Sequence, residues 1–182
     1  MQTVLVPLAP GFEEIEATTV IDVLRRADLD VTVAGLESGT VEGSHGLRFE
    51  PDTTLDQVDP ASVAMLVLPG GLPGAHNLRD DPRVIALVQE LAGSERHLAA
   101  ICAAPIVLGR AGVLEGHAAT CYPGFEDQLG GAEAREERVV RSGRVLTSRG
   151  VGTALPFALA LVAELAGPER ASELQRAMLV GE

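Results

Sequence analysis

The sequence contains no lysine and no tryptophan among its 182 residues, and only 3% of the residues are aromatic. All 14 basic residues are arginines, and they are set against 26 acidic residues, so the formal net charge is −12. Proteins that bind nucleic acids need a basic surface to meet the phosphates, so we expect no nucleic-acid binding. The acidic, lysine-free composition is typical of proteins from salt-rich cytoplasms, or of a genome whose base composition replaces lysine with arginine.

Cysteine is also scarce. The two residues, Cys102 and Cys121, are too few for a disulfide scaffold. The N-terminal sequence MQTVLVPLAP has no basic segment, and its apolar run is too short to span a bilayer, so neither export nor membrane insertion is indicated. We therefore expect a cytoplasmic protein with one domain over residues 1–182, because a chain of this length that is 46% apolar can bury its own core.

Short apolar segments with strand character alternate with segments of helical periodicity. The sequence predicts strands at 3–9, 31–34, 63–68, 98–101 and 118–121, and helices at 13–27, 82–92, 104–110, 152–166 and 168–178. It also predicts a weak hairpin or an edge strand at 41–50, a hairpin at 139–148 and a short turn of helix at 53–58. Such alternation predicts an α/β fold in three layers, an α/β/α sandwich around a mostly parallel sheet.

The most informative segment places Cys102 between the strand at 98–101 and the helix that follows, with Pro105 in the first helical turn. A side chain at so sharp a turn stands clear of the sheet and lies near the free N–H groups of the helix start. That position favours a nucleophilic thiolate with a lowered pKa. The alternative is a buried structural cysteine at the end of a core strand.

In a parallel sheet, ligands collect at the carboxyl ends of the strands. Gly70 and Gly71 follow one core strand, and their N–H groups are candidates for an oxyanion pocket, although a tight turn explains them equally well. Glu13, Glu14 and Glu16 follow the first strand. We interpret Glu13 and Glu14 as charges on a solvated helix end, whereas Glu16 is a candidate for a protonated carboxyl that donates a hydrogen bond to Cys102.

Four segments together, GFEEIEA, LPGGLPGAHNL, LAAICAAP and LTSRGVGTALPFALALVAEL, resemble the ThiJ/PfpI superfamily and its DJ-one branch, nearly end to end. The resemblance implies a flavodoxin-like sandwich, a homodimer and an oxidisable nucleophile at Cys102 with its carboxyl partner at Glu16. It also implies an oxyanion pocket built from the N–H groups of Gly70, Gly71 and Ala103. Activities of the family include cofactor-free conversion of methylglyoxal and glyoxal to hydroxy acids, repair of early glycation adducts, and redox-dependent chaperone behaviour.

The sequence departs from the family pattern where many relatives carry a histidine in a T-H-P segment. This chain has Cys121-Tyr122-Pro123 there, so Tyr122 is a candidate substrate contact, and no imidazole is available at that position for a Cys-His mechanism. His45 matches a position that the family uses near the pocket and the dimer contact, which makes it a second candidate contact. We predict no cofactor and no metal.

Two functions remain open at this point. One is a cysteine-dependent glyoxalase or deglycase acting on a small aldehyde or a glycated substrate. The other is a stress protein whose Cys102 oxidises to sulfinic acid without significant turnover. Cys121 is either a resolving thiol or a buried structural residue. For the homodimer, we expect Val20, Val23 and Leu24 of the first helix to form an apolar surface.

Overall fold

The structure is a computed structural model that describes residues 3–94 and 96–181. The strands are β1 (Thr3–Leu8), β2 (Val31–Gly35), β3 (Val41–Glu42), β4 (Arg48–Phe49), β5 (Thr53–Thr54), β6 (Val63–Leu68), β7 (His97–Ile101), β8 (Ala118–Ala119), β9 (Glu133–Ala134), β10 (Val139–Ser142) and β11 (Val145–Ser148). The helices are α1 (Glu14–Arg26), α2 (Gly74–Asp80), α3 (Pro82–Ala92), α4 (Pro105–Arg110), α5 (Ala154–Ala166) and α6 (Pro168–Ala177). None of these helices is long and apolar enough to cross a membrane.

Seven strands form the central sheet in the order β10-β11-β7-β6-β1-β2-β5. All neighbours run parallel except β10, which pairs antiparallel with β11 at one edge. Helices α1, α5 and α6 supply the apolar core on one face, and α2, α3 and α4 supply the core on the other. The predicted flavodoxin-like α/β/α sandwich is therefore confirmed.

The central strands are apolar because both of their faces are covered. Along β1, for example, Leu5 packs into one core while Val4 and Val6 pack into the other, and all three are almost inaccessible to solvent. The chain runs from β1 outward to β2 and then returns to β6 on the other side of β1. Strand order reverses at this point, which is where α/β sheets bind ligands.

The apolar face of α1 points inward. Val20, Val23 and Leu24 are each no more than 2% exposed, and they pack with α5 against the sheet. The prediction that these three residues form an apolar surface for a second copy is therefore wrong. The apolar face that the helical periodicity indicates is buried in the core of this chain.

The start of α1 is covered by the loop between β3 and β4. The N–H groups of His45 and Leu47 donate to Glu14 Oε1 at 2.6 and 3.4 Å, and the Ser44 hydroxyl donates to Glu13 and Glu14 at 3.2 Å each. Both carboxylates are buried. The prediction of a solvated helix end is therefore wrong, since a loop about 30 residues further along the chain supplies the hydrogen bonds that water would otherwise give.

The remaining predictions of secondary structure agree with the structure to within a few residues, with one exception. Residues 53–58 were predicted as a turn of helix, but Thr53–Thr54 pairs with β2 as a short edge strand, and only Leu55–Gln57 forms a 3₁₀ turn. Two β-branched residues next to an open sheet edge favour the pairing over the helix.

We predict that Glu14→Gln destabilises the protein at neutral pH by about 2–3 kcal/mol, because it removes an ionised acceptor of several buried hydrogen bonds. Burial alone would raise the pKa of Glu14, but hydrogen bonds from His45, Leu47 and its own backbone lower it to about 2 from 4.5. A lowered native pKa stabilises the fold above the unfolded value of 4.5, and this contribution is lost as pH falls from there toward 2.

Urea unfolding of the wild type and the variant from pH 7 to pH 3 measures this difference. We expect the difference in free energy of unfolding between the two proteins to be largest at pH 7 and to decrease below pH 4.5. Asp22→Asn, on the exposed face of α1, is the control and should cost much less. A gap that is independent of pH would contradict an electrostatic origin.

Candidate functional site

Three predicted segments meet at the carboxyl ends of β1, β6 and β7. Glu16 lies in the first turn of α1 after β1, Gly70 and Gly71 follow β6, and Cys102 follows β7. An added Cβ on Gly70 would lie 2.5 Å from Cys102 Cβ and 2.7 Å from Glu16 Oε2, which measures how tightly these residues are packed. The expected convergence at the switch point is therefore observed.

Cys102 has a backbone φ of +64°, a left-handed conformation that is uncommon for residues other than glycine. Three hydrogen bonds hold this turn. The N–H of Cys102 donates to Ser148 O at 2.9 Å, its carbonyl accepts from Tyr122 N–H at 2.8 Å, and Ala104 N–H donates back to Ile101 O at 3.0 Å. The predicted sharp turn between strand and helix is confirmed, and the side chain is only partly exposed.

Only part of the predicted group of N–H donors reaches the sulfur. Ala103 and Gly71 donate to the Cys102 side chain, which lowers its pKa. Ala104 N–H is used within the turn, and Pro105 has no N–H to give. One donor from the helix start and one from the loop after β6 therefore stabilise negative charge at this point.

The prediction that the turn itself lowers the pKa of Cys102 is wrong. Burial, followed by the charge of Glu16, raises the pKa of the thiol to about 12 against the two N–H groups. Loss of solvation thus outweighs two backbone donors. A thiolate at this position requires the neighbouring carboxyl to be neutral.

Gly70 serves Glu16 and not the sulfur. Its N–H donates to Glu16 Oε2 at 2.9 Å, so the predicted role of Gly70 in an oxyanion pocket has to be corrected. Any larger residue would collide with Glu16 and with the Cys102 side chain, as the Cβ distances above show. Glycine is therefore required here for close approach.

Glu16 is fully buried. Its Oε1 atom has no N–H or hydroxyl partner among the described residues, and the carboxyl hydrogen-bonds the Cys102 side chain. Burial raises the pKa of Glu16 to about 7 against the opposing hydrogen bonds from Gly70 and Cys102, and the charge of Glu13 adds to the increase. The carboxyl is thus mostly protonated below pH 7, where an ordinary glutamate is ionised.

Glu16 and Cys102 titrate as one coupled pair, because each charge disfavours the other. When the pair holds a single proton, that proton can lie on the carboxyl with a thiolate beside it, or on the sulfur with a carboxylate beside it. The first arrangement is stabilised by the N–H groups of Gly71 and Ala103, and the second by that of Gly70. A pair of this kind can both attack an electrophilic carbon and transfer a proton.

Tyr122 is half exposed beside this pair, and Gly150 lies between its ring and the sulfur. An added Cβ on Gly150 would be 3.3 Å from Tyr122 Cδ2 and 3.9 Å from Cys102 Sγ. Tyr122 lies near the site as predicted, whereas Gly150 is a residue of the site that was not predicted. The glycine of the LTSRGVGT segment, directly after a predicted core strand, was the signal that could have found it.

His45 is placed elsewhere in this chain. Its ring is 72% exposed, with Nδ1 3.0 Å from Glu14 Oε2 and 3.4 Å from Glu13 Oε2. These three side chains could offer ligand atoms within 4.8 Å of one another, and they are the one such group among residues 3–94 and 96–181. Both oxygens of Glu14 already accept hydrogen bonds from Ser44, His45 and Leu47, so the arrangement needs no cation to explain it.

Cys121 is 2% exposed and packs in the core formed with α2, α3 and α4, whereas Cys102 packs against the core on the opposite face. Burial raises the pKa of the Cys121 thiol to about 11. Both features describe a thiol that is protonated and enclosed.

The chain is similar to several proteins of known family. It is 42% identical over 98% of its length to Protein DJ-1 homolog A of Arabidopsis thaliana, of which it covers 47%, so it spans about half the length of that relative. It is 36% identical to the glutathione-independent glyoxalase DJR-1.2 of Caenorhabditis elegans, over 93% of this chain and 91% of the relative. The solved structure of oxidized Toxoplasma gondii DJ-1 superposes with a TM-score of 0.95 at 36% identity, covering 100% of both chains.

The family model described as the DJ-1/PfpI family matches residues 2–164, which include every residue of the site described above. The seven-stranded sheet, the turn at Cys102 and these relatives all lead to the same assignment. The chain belongs to the DJ-1/PfpI family.

Proposed function

We propose that the protein is a cofactor-independent glyoxalase or deglycase, in which Cys102 and Glu16 act on methylglyoxal, glyoxal or early glycation adducts. The observation that carries this proposal is the buried Glu16 carboxyl, with a pKa of about 7, hydrogen-bonded to a thiol that two N–H groups also contact. A nucleophile paired with a proton carrier matched to neutral pH suits addition to an aldehyde followed by proton transfer.

The reaction begins with the proton on Glu16 and the negative charge on sulfur. The Cys102 thiolate forms a bond to the aldehyde carbon, and Glu16 gives its proton to the carbonyl oxygen, which produces a hemithioacetal. The Glu16 carboxylate then removes the hydrogen of that carbon as a proton and returns it to the neighbouring ketone carbon, while the hydroxyl proton of the hemithioacetal passes to the former ketone oxygen. The product is a thioester of a 2-hydroxy acid.

Water then hydrolyses the thioester, which releases the hydroxy acid and restores the thiol. One carbon of the substrate is oxidised and the adjacent carbon is reduced, so the balance requires water alone. The N–H groups of Gly71 and Ala103 stabilise charge at the sulfur. In a deglycase reaction the hemithioacetal or aminocarbinol adduct would first release its thiol or amine, and the same addition to the freed aldehyde would follow. The relative named as a glutathione-independent glyoxalase supports this reading.

A second candidate is redox sensing. Two equivalents of peroxide convert a thiol to a sulfinic acid and release two waters. The Glu16 hydroxyl and the N–H groups that face Cys102 are donors that can hold sulfinate oxygens, and a solved relative is described as oxidized. A stress protein of this kind would act as a chaperone and turn over little substrate.

We also propose that the protein is a homodimer, in which His45 contributes to the partner's site. Its proposed location is the cytoplasm. Ile15 in α1 and Leu47 in the covering loop are exposed apolar side chains, and both flank residues that anchor the start of α1. They replace Val20, Val23 and Leu24 as the basis for expecting a second copy.

The central test compares three replacements of Glu16. Glu16→Gln keeps a donor to the sulfur but cannot exchange a proton, so we expect the thiolate to persist and turnover to fall at least about 100-fold. Glu16→Leu removes both properties, and its Cys102 pKa should lie about one to two units above that of Glu16→Gln, because a charge-assisted hydrogen bond is lost. Glu16→Asp should have a Cys102 pKa and a turnover between those of the wild type and Glu16→Leu.

The measurements are iodoacetamide reactivity against pH and the formation of lactate from methylglyoxal, with Cys102→Ser as the inactive control. The mechanism is wrong if Glu16→Leu keeps both the reactivity profile and the turnover of the wild type. Oxidation of Cys102 with no lactate formed by the wild type would favour the redox function.

The role of Cys121 is tested by mild peroxide followed by mass spectrometry. Because Cys121 is enclosed and on the opposite core, we expect sulfinic acid on Cys102 and an unmodified Cys121. Cys121→Ala should oxidise in the same way. An intramolecular disulfide would instead establish Cys121 as a resolving thiol.

The assembly is tested by sedimentation at micromolar concentration, where we expect twice the 19.0 kDa mass of one chain. Ile15→Glu should shift the protein toward the single-chain mass, because it places a charge in the proposed contact. Leu179→Glu, at an exposed apolar residue near the C-terminus, should leave the mass unchanged. A wild-type protein that sediments as one chain would refute the homodimer.

A further inference from the structure

Exposed apolar residues lie next in sequence to several residues of the site. Four of the large apolar residues that the structure leaves exposed are Ile15, Leu72, Tyr122 and Val151. Each is next in sequence to a group at the site or contacts it directly: Ile15 precedes Glu16, Leu72 follows Gly71, Val151 follows Gly150, and Tyr122 donates its N–H to Cys102 O. Tyr122 is the one of these four whose ring is shown near the sulfur, because its ring and Cys102 Sγ both lie close to the same point beside Gly150.

Tyr122 lies beside Cys102. Its N–H bond to Cys102 O, at 2.8 Å, fixes the position of its backbone relative to the nucleophile. The ring edge at Cδ2 and the sulfur are 3.3 and 3.9 Å from one common point beside Gly150, so they cannot be further apart than these two distances together. The Cδ2 edge of a half-exposed aromatic ring thus lies within reach of a molecule bound at the sulfur.

Gly150 keeps the space between the ring and the sulfur open. Its backbone is extended, with φ of 166° and ψ of −167°, a conformation that any residue adopts, so glycine is not needed there for its backbone freedom. A methyl group at this position would fill the point that Tyr122 and Cys102 share. We define the Tyr122 slot as the space bounded by Tyr122, Gly150 and Cys102.

We propose that the Tyr122 slot receives a planar apolar substituent of the substrate, so that the protein prefers aryl-substituted 2-oxoaldehydes to methylglyoxal. Tyr122 is then the residue that determines specificity, and it acts through its ring. The proposal rests on the function proposed above and narrows its substrate class. An offset or edge-to-face aromatic pair is expected to favour the aryl substrate by about 3- to 10-fold beyond the gain from its larger apolar area.

The kinetic test is the ratio of kcat/KM for phenylglyoxal to that for methylglyoxal, measured from initial rates. Tyr122→Phe keeps the ring and should keep the ratio. Tyr122→Ala removes the ring and should lower the ratio about 3- to 10-fold, and Gly150→Ala, which fills the slot, should lower it as well. A ratio in Tyr122→Ala equal to that of the wild type overturns the proposal, as does an equal fall for both substrates.

A binding test does not depend on turnover. Tyr122 is the only tyrosine and the chain has no tryptophan, so fluorescence excited at the tyrosine band reports this side chain alone. We expect 1-phenyl-1,2-ethanediol to change it saturably in the wild type, whereas 1,2-propanediol at the same concentration should not. In Gly150→Ala the response to the phenyl diol should be lost.

The two tests separate the two proposals. A saturable response to the phenyl diol in a protein that turns over neither aldehyde refutes the glyoxalase function and supports the slot as a binding site for aryl groups. Turnover of methylglyoxal with no fluorescence response to the phenyl diol retains the enzyme and refutes the slot.

Discussion

The close approach of Glu16, Gly70 and Cys102 is the constraint on which the site depends. Three strands end at the same edge of the sheet, and each delivers one member of this group. The buried Glu16 carboxyl is removed from water and accepts one hydrogen bond from the N–H of Gly70. Gly70 can approach the carboxyl this closely because it has no side chain. A methyl group on Gly70 would separate the acid from the sulfur, and the two would then titrate as unrelated groups.

Desolvation decides the chemistry of the pair. It raises the pKa of the carboxyl and of the thiol, and the backbone donors on each side offset only part of this effect. Neither group is a strong acid at neutral pH. The pair becomes reactive when it holds one proton, because that proton can lie on the carboxyl and leave a thiolate on the sulfur.

The order of strands and helices could be predicted from the sequence because strand and helix periodicities are local. The position of Cys102 at a sharp turn followed from the same local pattern. The environment of Glu14 did not, since it depends on a loop that starts about 30 residues later, and the orientation of Val20 did not, because periodicity identifies an apolar face without naming what covers it. The partner of the Gly70 N–H depends on distances between strand ends, which no spacing along the chain encodes.

The left-handed backbone of Cys102 has a consequence for how the site is maintained. Glycine would adopt the same φ without the steric cost of about 1–2 kcal/mol that a Cβ brings. Cys102→Gly would relieve this cost but would also remove the sulfur. The thiol is therefore held where it is by its surroundings, the three hydrogen bonds of the turn, and against the preference of its own backbone.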